Sequence, residues 1–389
     1  MKHPLRYFAS TFSSILTAAV LVAAFAALAQ AQSFTVLSNF TGSSGAYPYG
    51  GLMQDSAGTL YGTTYSGGAS SAGTVFAVLY GAEPALHSFS GSDGSVPKGG
   101  LIRDQNGVLY GTTQYGGAFG FGTVFAISPA GTLTTLHSFA GGSSDGEYPY
   151  GGLVLDSAGN LYGTTQNGGD PTCNAPYGCG TVWALSPNGT ETLLHIFEGT
   201  DGDSPAYGSL MLDKAGNLYG VTAYGGPSNY GVIFSVTTGG AFTVLHDFTG
   251  TDGSLPYGTP VEDADGNLYG TAADGGAYGG GTVWKLTSGG VLKVLHNFAG
   301  GTADGSYPLA GVVLGKGSLY GVTYYSGAFG QGTVFEVTAN NYTLLHSFNC
   351  SSDGCYPVGA LIEDKKGNLY GTAFYGGPLG TGTVWKLIP

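Results

Sequence analysis

Charged side chains are scarce in this sequence. Its 389 residues include only 11 Lys and Arg and 24 Asp and Glu, against 73 glycines, 27 tyrosines and 20 phenylalanines. Long amphipathic helices need a polar face, so we do not expect them here. The glycine and aromatic content favours many short strands joined by tight turns.

The shortage of basic residues also limits the partners of the protein. The formal net charge is -13 at pH 7, and a polyanion such as nucleic acid would be repelled. The acidic residues are spread along the chain rather than gathered in a tail, which indicates solubility rather than a cation store. We therefore expect no nucleic-acid function.

Long apolar runs are missing after the first 31 residues. The run at residues 15–28 follows two basic residues, precedes a small-x-small cleavage pattern at 29–31, and is shorter than the ~20 residues that span a bilayer comfortably. We predict a signal peptide over residues 1–31 and a secreted, periplasmic or extracellular, monomeric chain without a membrane span. An uncleaved anchor is the alternative. Residues 32–389 are expected to form one domain.

Cysteine is rare as well, and its four copies fall into two close pairs. Cys173 lies near Cys179, and Cys350 lies near Cys355. In an exported protein such pairs indicate local disulfides, although three connectivities are formally possible. The alternative, a zinc site, would need both pairs to converge from distant repeats.

What the sequence does contain is a repeat. The tripeptide Leu-Tyr-Gly recurs at a spacing of 49 to 57 residues, with its leucine at positions 60, 109, 161, 218, 268, 319 and 369. Each repeat holds four strand-like runs separated by turn-forming residues. Seven such units predict an all-β, seven-bladed β-propeller with four antiparallel strands per blade. A solenoid would repeat every 20 to 30 residues.

The two ends of the repeat array complement one another. Residues 34–40 form an isolated fourth strand before the first repeat, whereas the last repeat stops after its third strand at 383–387. We expect the amino-terminal strand to join the last blade and close the ring, which leaves no exposed sheet edge.

The repeated motifs also carry a family resemblance. Residues 109–145 contain LYGTT, GG, GTVF, LHSF and then DG, and this string resembles the GloVer tandem repeat of exported bacterial proteins. The resemblance covers essentially the whole chain after residue 31. It implies export and a propeller-like array, and it brings no established activity and no functional residues.

Histidine and aspartate recur at fixed positions of the repeat. Six histidines occupy the fourth strand, and we expect each to bind a threonine of the neighbouring strand, namely His87, His137, His195, His246, His296 and His346. Aspartates precede a glycine after the fourth strand and also end the first strand, where they can cap turns. We expect no cofactor, with calcium at Asp263–Ala264–Asp265–Gly266 as the alternative.

Departures from sevenfold regularity are more informative for function. The end of the first strand carries Gln54, Arg103, Glu262 and Glu363 where other repeats have leucine. We predict that these side chains form a polar binding site at one end of the channel, or a carboxylate pair for acid–base catalysis. The alternative is a solvated channel end with an incidental ion pair.

Tyrosines mark the opposite face. They lie in the loops between strands, and a concave rim of tyrosine and aspartate would suit stacking on sugar rings. The tyrosines concerned are Tyr49, Tyr115, Tyr150, Tyr207, Tyr224, Tyr257, Tyr325 and Tyr375. The alternative is that they fill gaps between blades. An insertion at 170–179 makes this rim asymmetric.

These observations favour a binding or interaction module, with carbohydrate or a cell-envelope protein as partner. The alternatives are a propeller enzyme, a glycoside hydrolase or lyase that uses channel carboxylates, and a passive structural array. Propellers support all three, so the fold does not choose among them.

Overall fold

The computed structural model describes residues 32–79, 84–205, 207–339 and 341–389. The predicted signal peptide at 1–31 lies outside these residues and remains a prediction. Within the described ranges, no helix has both the length and the hydropathy to cross a membrane.

The described residues form seven four-stranded antiparallel sheets, the blades of a propeller, which confirms the predicted fold. We number the blades by their innermost strands, which are Met53–Gln54, Ile102–Arg103, Val154–Leu155, Met211–Leu212, Val261–Glu262, Val313–Gly315 and Ile362–Glu363. The second strands are Leu60–Ser66, Leu109–Thr113, Leu161–Thr165, Asn217–Thr222, Leu268–Ala272, Ser318–Thr323 and Leu369–Ala373. The third strands are Thr74–Val78, Thr123–Ile127, Thr181–Leu185, Val232–Thr237, Thr282–Leu286, Thr333–Val337 and Thr383–Ile388. The outermost strands are Ala85–Ser88, Leu133–Ser138, Glu191–Ile196, Phe242–Asp247, Leu292–Asn297, Tyr342–Ser347 and, for blade 7, Ser33–Asn39.

The loops between these strands contain several short elements of secondary structure. Blade 1 gains a further strand, Ala46–Pro48, which pairs with its second strand. The remaining elements are two-residue strands and one 3-10 turn, at Gly146–Glu147, Asn167–Gly168, Gly305–Ser306, Tyr325–Ser326 and Gly142–Ser144.

The ring closes as the sequence predicts. Ser33–Asn39 runs antiparallel to Thr383–Ile388 and supplies the outermost strand of blade 7. The residue after it, Phe40, is fully buried and packs with Leu52 and Phe76 of blade 1. The first strand therefore completes the last blade and joins the core between blades 7 and 1.

The hydrophobic core lies between blades rather than within them. Val75 and Phe89 of blade 1, for example, form one cluster with Leu101 and Phe125 of blade 2. The glycine of Leu-Tyr-Gly makes this packing possible, because a Cβ atom on Gly111 would lie 2.6 Å from the Phe125 ring. Side chains of adjacent blades thus build a core that the two blades share.

The aspartate that ends most innermost strands caps a turn, as predicted. In blade 3, Asp156 Oδ1 accepts hydrogen bonds from the backbone N–H groups of Ala158 and Asn160, both at 2.8 Å. Its Oδ2 accepts the Tyr162 hydroxyl at 3.0 Å, which explains the tyrosine of Leu-Tyr-Gly.

The turn considered for calcium has the same internal bonds. Asp263 Oδ1 accepts the N–H groups of Asp265 and Asn267, and its Oδ2 accepts the Tyr269 hydroxyl at 2.9 Å. These contacts account for both carboxylate oxygens without an ion. Calcium binding at this turn stays a prediction.

The predicted partner of the repeated histidine is wrong. In each of the six blades the imidazole Nε2 faces the aspartate of the following Asp-Gly turn, as in His87 with Asp93 at 2.8 Å and His246 with Asp252 at 2.9 Å. The loop folds back over the outermost strand and brings the carboxylate to the ring. The threonine of the second strand instead faces one in the third, with Thr113 Oγ1 at 2.8 Å from Thr123 Oγ1.

Both predicted disulfides are present. Cys173 is bonded to Cys179 and Cys350 to Cys355, with Cα–Cα distances of 5.5 and 4.7 Å. Two local disulfides fit a protein of an oxidising compartment. Export itself remains a prediction.

Ring closure can be tested at Phe40. We expect Phe40→Ala to lower the free energy of unfolding by about 3–5 kcal/mol, because it leaves a cavity in the core between blades 7 and 1. Phe248→Ala, at an equally buried phenylalanine, should cost a similar amount, and Phe119→Ala, at a ring that is 60% exposed, should be nearly neutral. Denaturant unfolding measures all three. If Phe40→Ala behaves like Phe119→Ala, the closure is not as described.

The capping aspartates predict a loss of stability in acid. Burial tends to raise the pKa of Asp156, Asp213 and Asp364, but the hydrogen bonds that they accept outweigh it and lower the pKa; for Asp263 the same balance lowers the pKa to about 2. The stability that they contribute is therefore complete above their ordinary pKa of about 3.9 and is lost as the pH falls through the lower, folded values.

Urea unfolding between about pH 5 and pH 2 checks this expectation. The double variant Asp213→Asn and Asp364→Asn should lose less stability over this interval than the parent chain. An unchanged pH dependence in the variant would contradict the assigned role of these two carboxylates.

Candidate functional site

The loops that connect the strands lie on two opposite faces of the propeller. The loops that enter each innermost strand lie beside the loops that leave each second strand, as shown by the bridges between Ser95 and Tyr115 and between Cys355 and Tyr375. We call this side the loop face. The tight turns that follow the innermost strands, such as the one capped by Asp156, lie on the opposite side, the turn face.

The channel opens on the loop face into a cavity of about 280 Å³, and all seven blades contribute to it. Each blade presents one larger side chain just before a pair of small residues. These larger residues are Tyr49, Lys98, Tyr150, Tyr207, Tyr257, Leu309 and Val358, and all of them except the buried Tyr150 line the cavity. We call this set the mouth ring.

The small residues behind the mouth ring are required by backbone contact. A Cβ atom on Gly50 would lie 2.6 Å from the carbonyl oxygen of Gly99, and one on Gly258 would lie 2.0 Å from the nitrogen of Gly311. Real Cβ atoms do not approach backbone that closely. Adjacent blades therefore touch through their peptide groups, and the floor of the cavity consists largely of backbone.

Lys98 is the one cation of the mouth ring. Its ammonium nitrogen lies 4.0 Å from the centroid of the Tyr150 ring, 5.5 Å from that of Tyr49 and 5.4 Å from that of Tyr65. No carboxylate is among the residues that line the cavity, and in the described part of the chain Lys98 forms no ion pair. Burial lowers the pKa of Lys98 to about 8. The side chain is thus a caged cation at neutral pH.

Four tyrosines complete the polar part of the mouth ring. The Tyr150 hydroxyl donates to the Tyr49 hydroxyl at 2.7 Å, and the ring of Tyr207 lies 4.6 Å from that of Tyr150 and 4.3 Å from that of Tyr257. Burial raises the pKa of Tyr49 to about 12, although the hydrogen bond from Tyr150 acts in the opposite direction. These phenols are therefore neutral at ordinary pH. Leu309 and Val358 make the remaining side of the mouth apolar.

The other four predicted tyrosines surround this mouth on the loop face. Tyr115, Tyr224, Tyr325 and Tyr375 are 42%, 41%, 45% and 40% exposed. Three of them pack edge-on against a ring of the neighbouring blade, Tyr115 on Tyr148 and Tyr375 on Tyr47, both at 5.2 Å, and Tyr325 on Tyr356 at 5.9 Å. Their contact with sugar stays a prediction.

The insertion of blade 3 also lies on the loop face. It follows the second strand, its Cys179 is buried, and its Tyr177 is 59% exposed. Through this loop the rim of blade 3 differs from the other six.

The polar residues predicted at the channel end lie on the turn face, and each of them lies near a residue of the blade before it. The Arg103 guanidinium attracts the Asp55 carboxylate, and Gln54 interacts with the Tyr370 hydroxyl, whereas Glu262 and Asp213 repel one another. Glu363 lies against Gly315 of blade 6. No contact between any two of these four is among the hydrogen bonds and ion pairs of the described residues. The polar binding site and the carboxylate pair remain predictions.

Lys98 is the residue that sequence reasoning missed. Its position reads Tyr, Lys, Tyr, Tyr, Tyr, Leu and Val around the ring, so that one cation stands where four other blades have tyrosine. Comparing every repeat position, rather than one, would have found it.

Comparison with solved structures shows similarity to other propellers at low identity. One is a gluconolactonase of Xanthomonas campestris, with a TM-score of 0.49, 13% identity, and coverage of 94% of this chain and 92% of that chain. Another, from Thermus thermophilus, is provisionally described as an oxidoreductase (glucose dehydrogenase), with a TM-score of 0.44, 14% identity, and coverage of 92% of this chain and 100% of that chain. Similarities this weak carry no argument about the function of this chain.

No curated protein matches the chain. The model of the Gloeobacter/Verrucomicrobia repeat matches it twice, over residues 22–175 and 172–385, which together contain all seven Leu-Tyr-Gly repeats. The chain belongs to the Gloeobacter/Verrucomicrobia repeat family.

Proposed function

We propose that this protein is a binding module that receives a saccharide bearing a carboxylate, such as a uronic acid, at the channel mouth. The observation that carries the proposal is Lys98, whose ammonium group lies among tyrosine rings with no carboxylate in the cavity lining.

We infer a carboxylate on the ligand because the Lys98 ammonium group is partly buried and has no anionic partner among the described residues. A partly buried ammonium without an anion has lost solvation that cation–π contacts replace only in part. An incoming carboxylate would form a charge-assisted hydrogen bond with it in a site of low dielectric constant. An uncharged ligand would leave the ammonium unpaired.

We infer a sugar as the body of the ligand because tyrosines form much of the mouth. Tyrosine offers a flat apolar face for a pyranose ring and a hydroxyl for its oxygens, and Tyr49, Tyr207 and Tyr257 line the cavity. A cavity of about 280 Å³ lies just below the usual range for small-ligand sites, so we expect one sugar unit to enter.

The net charge of the protein also restricts the number of charges that the ligand can carry. A protein with a formal charge of -13 repels long polyanions, whereas a single cation in a pocket can still attract one carboxylate. The proposed ligand is therefore a terminal or free acidic sugar rather than the interior of a highly charged polymer.

Lys98→Tyr tests the site, because it installs the residue found at this position in four other blades. With methyl glucuronide as probe, calorimetry should show binding by the chain from Gln32, and the variant should bind about 10–100-fold more weakly because the charged hydrogen bond is lost. Methyl glucoside and acetate should each bind the parent chain more weakly than methyl glucuronide.

Lys293→Tyr is the matched control, since Lys293 is exposed on an outermost strand. It should bind like the parent chain. Equal binding of methyl glucoside and methyl glucuronide, or undiminished binding by Lys98→Tyr, would refute the proposal.

The lowered pKa of Lys98 predicts a specific pH profile. Because burial lowers this pKa to about 8, the ammonium form is lost as the pH rises through that value. The probe carboxylate is ionised throughout, so affinity for methyl glucuronide should fall about tenfold between pH 7 and pH 9. A lysine with the ordinary pKa of about 10.4 would give a nearly flat profile over this interval. Calorimetry in matched buffers distinguishes the two.

A further inference from the structure

The outermost strand of each blade lies beside the preceding blade, and we call this boundary the outer seam. The outer seam between blades 2 and 3 differs from the other described seams. Four residues before each repeated His, or before Ser38 in blade 7, the outermost strand places a residue beside the preceding blade. In the described strands this residue is Phe34, Leu133, Phe242, Leu292 or Tyr342, but in blade 3 it is Glu191. Among these described strands, the departure introduces a carboxylate where the other five have an apolar or aromatic side chain.

The usual role of this position is to cover the histidine of the preceding blade. Phe242 stacks on His195 with ring centroids 3.6 Å apart, and Tyr342 stacks on His296 at 4.1 Å. Glu191 occupies the same place over His137. It therefore adds a second carboxylate to the His137–Asp145 pair.

The three side chains form one compact cluster. One potential ligand atom from each of His137, Asp145 and Glu191 lies within 4.8 Å of the other two. Glu191 Oε1 is inaccessible to solvent and has no hydrogen-bond partner within the described residues. A buried carboxylate oxygen left without a donor costs free energy, and a cation would satisfy it.

The distance between His137 and Asp145 also differs from that in the sister pairs. His137 Nε2 lies 3.4 and 3.3 Å from the two carboxylate oxygens, whereas the closest distance in the other five pairs is between 2.6 and 3.1 Å. Two ligands on one tetrahedral zinc ion, with bonds of about 2.0–2.1 Å, lie about 3.3 Å apart. The spacing of the His137–Asp145 pair is therefore compatible with two ligands of one zinc ion.

The loop before blade 3 holds Asp145 in place for this role. Its Oδ2 accepts the backbone N–H of Ala140 and its Oδ1 accepts that of Gly146, both at 2.7 Å. Such bonds orient a ligating carboxylate. The His137 and Asp145 side chains remain 19% and 10% exposed, which leaves a path for an ion.

We propose that His137, Asp145 and Glu191 bind one Zn²⁺ ion, with water as the fourth ligand. One imidazole nitrogen and two carboxylates suit zinc, whereas calcium takes oxygen ligands. The ion joins the outermost strands of blades 2 and 3 to the loop between them, and so clamps this seam. The site is distinct from the channel mouth and does not depend on the proposed function.

Blades 5 and 6 supply the matched control. The loop after His296 has the same bonds to Asp304 from Ala299 and Gly305, but Tyr342 stands where blade 3 has Glu191. Glu191→Tyr therefore copies an arrangement that the chain already uses, and Glu191→Gln keeps the size of the side chain while removing its charge.

The test uses the untagged chain from Gln32, stripped with a chelator and then titrated with Zn²⁺. Metal analysis after dialysis should give one zinc per parent chain, and zinc should raise its melting temperature. Both Glu191 variants should bind zinc at least about 100-fold more weakly, and their melting temperatures should not respond to it.

Two results would overturn the proposal. One is the absence of zinc binding by the parent chain at micromolar concentration. The other is equal binding by the parent and by Glu191→Tyr, which would show that the repeated His–Asp pairs bind zinc without Glu191.

Discussion

Around the channel, the backbone of one blade packs directly against the backbone of the next between several neighbouring blades. Gly50 faces Gly99, and Gly258 faces Gly311, at distances that leave no room for a Cβ atom. The threonine hydroxyls of the second strands strengthen this contact, as when Thr63 donates to the carbonyl oxygen of Gly99 at 3.0 Å. The seven innermost strands can meet in one ring only because these positions are small.

This constraint explains where the candidate site lies. Since the floor of the cavity is backbone, its chemistry comes from the side chain that precedes each small pair, and that residue is free to vary. Lys98 and its tyrosine neighbours use this freedom, while Leu309 and Val358 leave the opposite side apolar. The small residues that recur in every blade form the floor of the cavity, and the residues that differ between blades give it its charged, polar and apolar sides.

The same logic operates at the outer rim. Six blades carry a histidine paired with the aspartate of the following turn, and this pair fastens each loop to its strand. Because the pair is repeated, its default role is structural. In one of these pairs, His137 with Asp145, Glu191 replaces the side chain that covers the histidine ring in other blades. These three side chains together offer ligand atoms that could bind a metal ion.

The sequence by itself determined the number of blades, the four strands in each, the closing role of Ser33–Asn39 and both disulfides. All of these follow from periodicity or from spacing within a few residues. Only the tertiary structure decided that Lys98 lies against Tyr150, that Arg103 contacts the preceding blade, and that Glu191 meets His137. These contacts join different repeats, and their geometry depends on how closely the blades pack and on the path of each loop. Neither quantity can be read from the spacing of motifs along one chain.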